Sequence, residues 1–459
     1  MSNNSSTPEK DNVVKGEPTK DFFITMLIKD ISLRDAIGDL IDNSVDAIKA
    51  KAKDPDDLKG YSIDVVASAK AFSISDNGSG IEENVARKYA FKLGKPKEHV
   101  LLKHSIGRFG IGMKRAFFKI GNHITVDSCA PTSHFSINIP VNTWKQQEDD
   151  WDFKFSNVQN KEKNGPEQTG TVIKISDLTY DAAESFKKTQ FENELIDEIA
   201  REQVLNIHKG LKISINKATL VSESLTLKHD KEIVPAYLKH TFKHLNSETK
   251  VVSELMVEVY AGVSDENEEE GGWNIFCNDR LIMDRDKSEV TGWTGAGGDG
   301  VAKYHQQFWG FRGYVFFNAQ DSGLLPWNTT KTGIDPESAD YIAVRMKMID
   351  LMKDVIGLLN RQKKEREKDN PVKDQVLNNK VQAAPSISIL KVMEDKTLLP
   401  TKFKYPTDLN AVKTKDVQKI TYTVAKIKFN KAKLSLGASN PADVGSKTFD
   451  YYYGDVVGD

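Results

Sequence analysis

The stretch from Ser32 to Lys51, SLRDAIGDLIDNSVDAIKAK, constrains the fold more than any other segment. Leu33, Ile37, Leu40, Ile41, Ser44 and Ile48 recur at helical spacing, so one side of a helix is committed to a core. Ser32, with Asp35 three residues on, is a short form of the capping box and sets the start. KDPDDLKG ends the helix in a turn. Beside the apolar face, Asp39, Asn43 and Asp46 stand at i, i+4 and i+7 and form a polar stripe. Such groups are costly to bury unpaired. Two readings stay open on the residues alone: a solvated helix face, or a site for Mg²⁺ with nucleotide phosphates.

Three further segments bear on that choice. Asp76-Asn77-Gly78-Ser79-Gly80-Ile81 follows two strand-like runs, YSIDVVAS and AFSIS. Its glycines permit φ > 0 and close approach to the main chain, and a carboxylate there can accept from an exocyclic amine. Gly107-Arg108-Phe109-Gly110-Ile111-Gly112-Met113-Lys114 leads into a helical pattern. Glycines at a helix start expose N–H groups that can cradle phosphates, although the Gly-Lys-Ser/Thr of a P-loop is missing. Gly170-Thr171 opens the strand Thr171–Ser176. Each segment alone also fits an ordinary turn, lid or strand. His104 and His123 carry no nucleophile signature, and no zinc spacing exists.

In order and spacing, the four segments resemble the nucleotide-binding boxes of the GHKL (Bergerat-fold) ATPases. That superfamily includes gyrase B subunits, the ninety-kilodalton heat-shock chaperones, MutL proteins, Microrchidia proteins and histidine kinases. DAIGDLIDNSVDA is similar to the first box and SDNGSGI to the second. The resemblance implies an α/β sandwich that binds ATP and Mg²⁺. It makes Asp39 the general base and Asn43 the Mg²⁺ ligand, with Asp46 in the same box. It places Asp76 on the adenine amine, Thr171 beside it through water, and Gly78, Gly80 and Ile81 around adenine and ribose. Gly107, Phe109, Gly110, Ile111, Gly112 and Met113 would form the lid, and Lys95 would touch phosphate. Hydrolysing relatives carry Glu where this chain has Asp39. A carboxylate set back by about 1 Å can cost ~100-fold in rate, so slow turnover is expected.

A fainter likeness continues through WNIFCNDRLI, FWGFRGYVFFNAQ and LPWNTTKTGID, which follow the strand order of the transducer domain in gyrase-, MutL- and Microrchidia-type members. It implies that Lys331 reaches a terminal phosphate. Histidine kinases have Asn in place of Asp39 and need an upstream phospho-accepting His, which residues 1–30 lack.

The expected class is therefore α+β. A polar tail at 1–19 precedes a GHKL domain at 20–180. A transducer-like α/β domain, of the type found in a small-subunit ribosomal protein, follows at 181–336. A long helix and linker occupy 337–370, and a small basic C-terminal domain 371–459. KITYTV reads there as a strand and AKIKFNKAKLSL as a helix.

The 64 Lys+Arg and 66 Asp+Glu nearly cancel, but not evenly. Residues 361–459 hold 19 basic and 12 acidic groups, a net of +7, leaving −9 for residues 1–360. From Lys396 to Lys433 there are ten Lys and two Asp, a net of +8 that suits DNA phosphates or a solvated surface. With Cys129 and Cys277 alone, a disulfide framework is excluded and a cytoplasmic setting expected. No run reaches the ~18 apolar residues of a membrane span, and the N-terminus has no apolar signal core. The expected function is a nucleotide-gated, dimerising clamp in DNA processing or genome defence. The alternative is a chaperone-like ATPase acting on protein partners.

Overall fold

The computed structural model describes residues 18–92, 106, 110–147, 150–160, 165, 168–247, 250–295, 300–328, 330–366, 375–406 and 420–458. They fall in two compact units, residues 1–406 and 407–459.

The first unit opens with helices α1 (Lys20–Lys29) and α2 (Leu33–Lys51). Ser32 and Asp35 close a full capping box at the start of α2, as the sequence predicts. Strands β1 (Ser62–Ala67) and β2 (Ala71–Asp76) follow, then the short helix α3 (Glu83–Val85) and α4 (Gly112–Ile120). β3 (Gly121–Cys129), β4 (Ser133–Pro140), α5 (Val141–Lys145), β5 (Phe155–Asn160) and β6 (Gly170–Leu178) complete the first box-bearing region. The helical pattern after it is broken into α6 (Tyr180–Ser185), α7 (Thr189–Glu202) and α8 (Val204–His208). β7 (Lys212–Ile215) and β8 (Ala218–Thr219) then return to the first sheet, whose order is β5-β4-β3-β6-β2-β1-β7-β8. β7 lies parallel to β1 and the other pairs are antiparallel. This sheet therefore runs past residue 180, because the free edge of β1 takes β7 from beyond that expected boundary.

The second sheet uses β10 (Ala236–Leu245), β11 (Val252–Val263), β12 (Gly272–Cys277), β13 (Arg280–Asp286) and β14 (Phe311–Ala319), after a short β9 (Thr226–Lys228). Its order is β10-β11-β14-β12-β13, with β12 and β14 parallel. Every residue of β12 is buried, as expected of a strand covered on both faces. Helix α9 (Ala339–Arg366) packs on β11 and β14. On the opposite face, Tyr260, Phe276, Tyr314 and Phe316 pack with Val204, Leu205, Ile389 and Val392.

That core draws in β15 (Ser386–Ser388) and α11 (Ile389–Glu394), while α10 (Val376–Ala383) packs on α9. β15 pairs with β9, and Lys404 bridges to Val234. The second unit consequently begins at Thr407 and not at 371, since the apolar residues of 376–406 belong to the first unit's core. In the second unit, α12 (Lys426–Ser435) and α13 (Pro441–Tyr452) pack together. Asn440 caps α13, with Pro441 in its first turn. Residues 420–424 of the expected strand KITYTV form no strand. Among the described residues no helix is long and apolar enough to cross a membrane.

Candidate functional site

The apolar face of α2 puts Ile37, Leu40, Ile41, Ser44 and Ile48 into the core. Helical geometry then fixes where the polar stripe goes. Asp39 and Asp46 are buried, and Asn43 is half-buried. Asp46 accepts from the backbone N–H of Ile106 through both oxygens, at 2.8 and 3.1 Å, so it anchors Ile106. Among the described residues, the Nδ2 of Asn43 is buried without a hydrogen-bond partner. An amide left this way suits a group that arrives with a ligand.

At the end of β2, Asp76 is opposite Thr171 of β6. Its carboxylate accepts from Gly78 N–H at 2.9 Å and from the Ser44 hydroxyl at 3.0 Å. Burial pushes its pKa up to about 6, against the opposing pull of those donors, the Thr171 backbone and Lys51. Thr171 Oγ1 shares a hydrogen bond with Ser128 Oγ at 2.9 Å, and Ser128 Oγ accepts from Ile81 N–H at 2.8 Å.

The glycines of this turn answer to protein neighbours. A Cβ on Gly80, where φ is +67°, would lie 2.0 Å from the Cys129 carbonyl oxygen. One on Gly78 would lie 2.9 Å from Ala47. The close approaches at these two positions are thus made by the chain itself. Gly110 (φ +66°) and Ile111 lead into α4. A Cβ on Gly112 would lie 3.1 Å from the Asp39 carboxylate, so the first turn of α4 abuts the candidate base, with half-buried Met113 beside it. Lys95, Gly107 and Phe109 lie outside the described residues.

Lys331 enters from the other sheet's side of the unit. It occupies a turn after Trp327, at φ +60°, and is only 6% exposed. Its Nζ lies 3.2 Å from Asp39 Oδ1 and 2.7 Å from Asp42 Oδ2. Burial alone would lower its pKa, but Asp42 and Asp39 raise it above the usual lysine range. Arg115 of α4 donates from Nε to Asp39 Oδ2 at 2.5 Å. Burial pushes the Asp39 carboxyl up; Lys331 and Arg115 outweigh it and hold that carboxyl below the usual range.

Asp42, Arg115, Arg280 and Glu202 are the members of this cluster that sequence reasoning missed. Asp42 is 0% exposed and also accepts from Arg280 Nε at 3.0 Å and Gln203 Nε2 at 2.9 Å. Arg280 reaches Glu202 at 2.9 Å, and burial pushes Glu202 up to about 7 against the pull of Arg280. The signals were faint: a second acid one residue before Asn43, and an Arg just after the tight Asn278-Asp279 turn, both residues of which have positive φ.

Residues 31–171 match the family model for histidine kinase-, DNA gyrase B- and HSP90-like ATPases. This region is a GHKL-type ATPase domain. The match takes in Asp39, Asn43, Asp76, Gly112 and Thr171, and it makes the GHKL domain a nucleotide-binding module. Arg280 and Lys331, which meet its first helix, lie outside the matched residues. No curated protein matches the chain significantly.

Proposed function

We propose that the chain is a slow, Mg²⁺-dependent ATPase whose nucleotide site is completed by Lys331, and that nucleotide gates a conformational clamp in DNA processing. The observation that carries this reading is the 3.2 Å approach of Lys331 Nζ, from outside the GHKL domain, to Asp39. A cation delivered to that point can stabilise charge that develops on a terminal phosphate.

Asp76 accepts the adenine amine, and Thr171 and Ser128 order the polar edge beside it. Asn43 Oδ1 is the oxygen that would hold the metal, and the buried Nδ2, unpartnered among the described residues, suits donation to a phosphate oxygen. Mg²⁺, when bound there, neutralises phosphate charge. Asp39 orients the attacking water and takes its proton. Its pairing with Arg115 and Lys331 lowers its proton affinity, which supports slow turnover. Lys426, Lys428 and Lys431 are exposed on α12 and supply the DNA contact.

The test is calorimetric titration of the full chain with Mg·ATP, followed by sedimentation with a non-hydrolysable analogue. Saturable binding and analogue-dependent dimerisation are expected. Absence of Mg·ATP binding overturns the ATPase reading. Binding without any change in mass or shape overturns the clamp.

A further inference from the structure

Three carboxylates and three cations meet between α2 and the turn at Lys331: Asp39, Asp42 and Glu202 with Arg115, Arg280 and Lys331. Their arrangement is uneven. Asp39 would keep Arg115 if Lys331 left, and Asp42 would keep Arg280 and Gln203. Lys331 has no such reserve among the described residues, because its side-chain bonds there go to Asp39 and Asp42. Its backbone is fixed separately. Arg280 Nη1 donates to the Lys331 carbonyl at 2.9 Å, and Lys331 N–H bonds to the Asn328 carbonyl at 3.1 Å. The same Arg280 therefore clamps the turn and shields Asp42. The Lys331 side chain can move while its Cα stays in place.

We propose that Asp42 is a positioning residue that holds Lys331 in the resting site and releases it to a terminal phosphate, with Arg280 remaining on Asp42 as the fixed counter-charge. This rests on the ATPase reading above. Removing one partner from a buried ion pair is costly when the other is left uncompensated. Here both carboxylates stay compensated, so release is limited by finding Lys331 a new anion. A nucleoside triphosphate brings one in its γ-phosphate, which a diphosphate lacks. Asp42 thereby sets how strongly the site must be paid in phosphate charge before Lys331 moves, and so sets the preference for triphosphate over diphosphate.

The experiment measures affinities of the full chain for Mg·ADP and for Mg with a non-hydrolysable ATP analogue. In Asp42→Asn the preference for triphosphate should rise at least about fivefold, the low end of usual site-to-site coupling. The rise should vanish when Lys331→Met is added. An unchanged preference, or an equal rise in the Lys331→Met background, overturns the latch. A second measurement needs no change at Asp42: the Lys331 Nζ resonance of the unaltered chain, assigned with Lys331→Met. It should shift with the triphosphate analogue and stay with Mg·ADP. If both nucleotides bind and the resonance responds to neither, or to both alike, the latch fails and the ATPase reading stands. If neither binds, both fall together.

Discussion

Arg115 and Lys331 take different oxygens of one carboxylate: Arg115 Nε is 2.5 Å from Asp39 Oδ2, and Lys331 Nζ is 3.2 Å from Oδ1. The candidate base is thus held ionised and shared between α4 and the turn that bears Lys331. A general base acts in the transition state, so its loss should spare ground-state binding. Asp39→Ala should retain Mg·ATP affinity, or tighten it because two cations are freed, while phosphate release falls to background. Equal phosphate release by parent and variant would show that another group activates the water.

Asp76 links function to pH. Its folded-state pKa of about 6 exceeds the ordinary 3.8. A carboxyl raised on folding contributes stability that is fully present below the ordinary value and is lost as pH rises through about 6. The melting temperature should therefore decline from pH 4 toward pH 7 by more in the parent than in Asp76→Asn. ATP binding should run the other way, because an amine donor needs the ionised acceptor. Affinity should rise through about pH 6 in the parent. Asp76→Asn should bind ATP at least about tenfold more weakly, through loss of a charge-assisted bond of ~1.5–3 kcal/mol. Parallel pH profiles of binding for the two proteins would remove Asp76 from the adenine site.

Asn43→Ala removes a hard oxygen ligand and also the unpartnered Nδ2. Folding stability should stay level or rise slightly, because an orphaned buried amide is itself a cost. Calorimetry should detect no Mg·ATP binding. Unchanged affinity would place the metal elsewhere.

The sequence made α2 legible because one segment carries periodicity, cap and polar stripe together, and the structure returns all three. Lys331 could be singled out only through the resemblance, and the structure places it against Asp39. Asp42 and Arg280 stayed hidden for a physical reason. They are 238 positions apart, and a single acid or base carries no periodic signal of its partner. The boundary at Thr407 was hidden likewise, since the short apolar run around Ile389 finds its core with Tyr260 and Phe276 only in three dimensions. Gly78 and Gly80 were visible as a turn, but their neighbours, Ala47 and the Cys129 carbonyl, come from elsewhere in the chain.

Gly80→Ala and Gly60→Ala form a controlled pair. Both glycines have positive φ, +67° and +86°. A Cβ on Gly80 would meet the Cys129 oxygen at 2.0 Å, whereas one on Gly60 meets nothing within 4 Å. Gly60→Ala should cost about 1 kcal/mol from backbone conformation alone. Gly80→Ala should cost several times that, on the order of 3–4 kcal/mol, because backbone must also shift. Denaturant midpoints give both values, and equal costs would show that the turn yields freely.

The DNA contact should not be spread evenly over the basic stripe. Lys396 of the first unit already pairs with buried Glu258 at 2.9 Å, so its charge is in use. Lys426, Lys428 and Lys431 of the second unit are exposed. Neutralising them should lower DNA affinity more than Lys396→Ala does, and the salt dependence should flatten as phosphate contacts are lost, by about one unit of log–log slope per contact. A chain ending at Pro406 keeps the whole first unit, including β15 and its core, and should bind Mg·ATP as the parent does. It should lose DNA binding, because residues 1–406 carry a net −4 (−9 for 1–360 and +5 for 361–406) and lack the exposed lysines of α12. In the full chain, affinity should rise with a non-hydrolysable ATP analogue, since a closed dimer brings two basic segments to one duplex. Full DNA binding by the shortened chain would move the contact to the first unit. No DNA binding at ~50 mM salt, with or without nucleotide, would remove DNA from the clamp and leave a protein partner as its substrate.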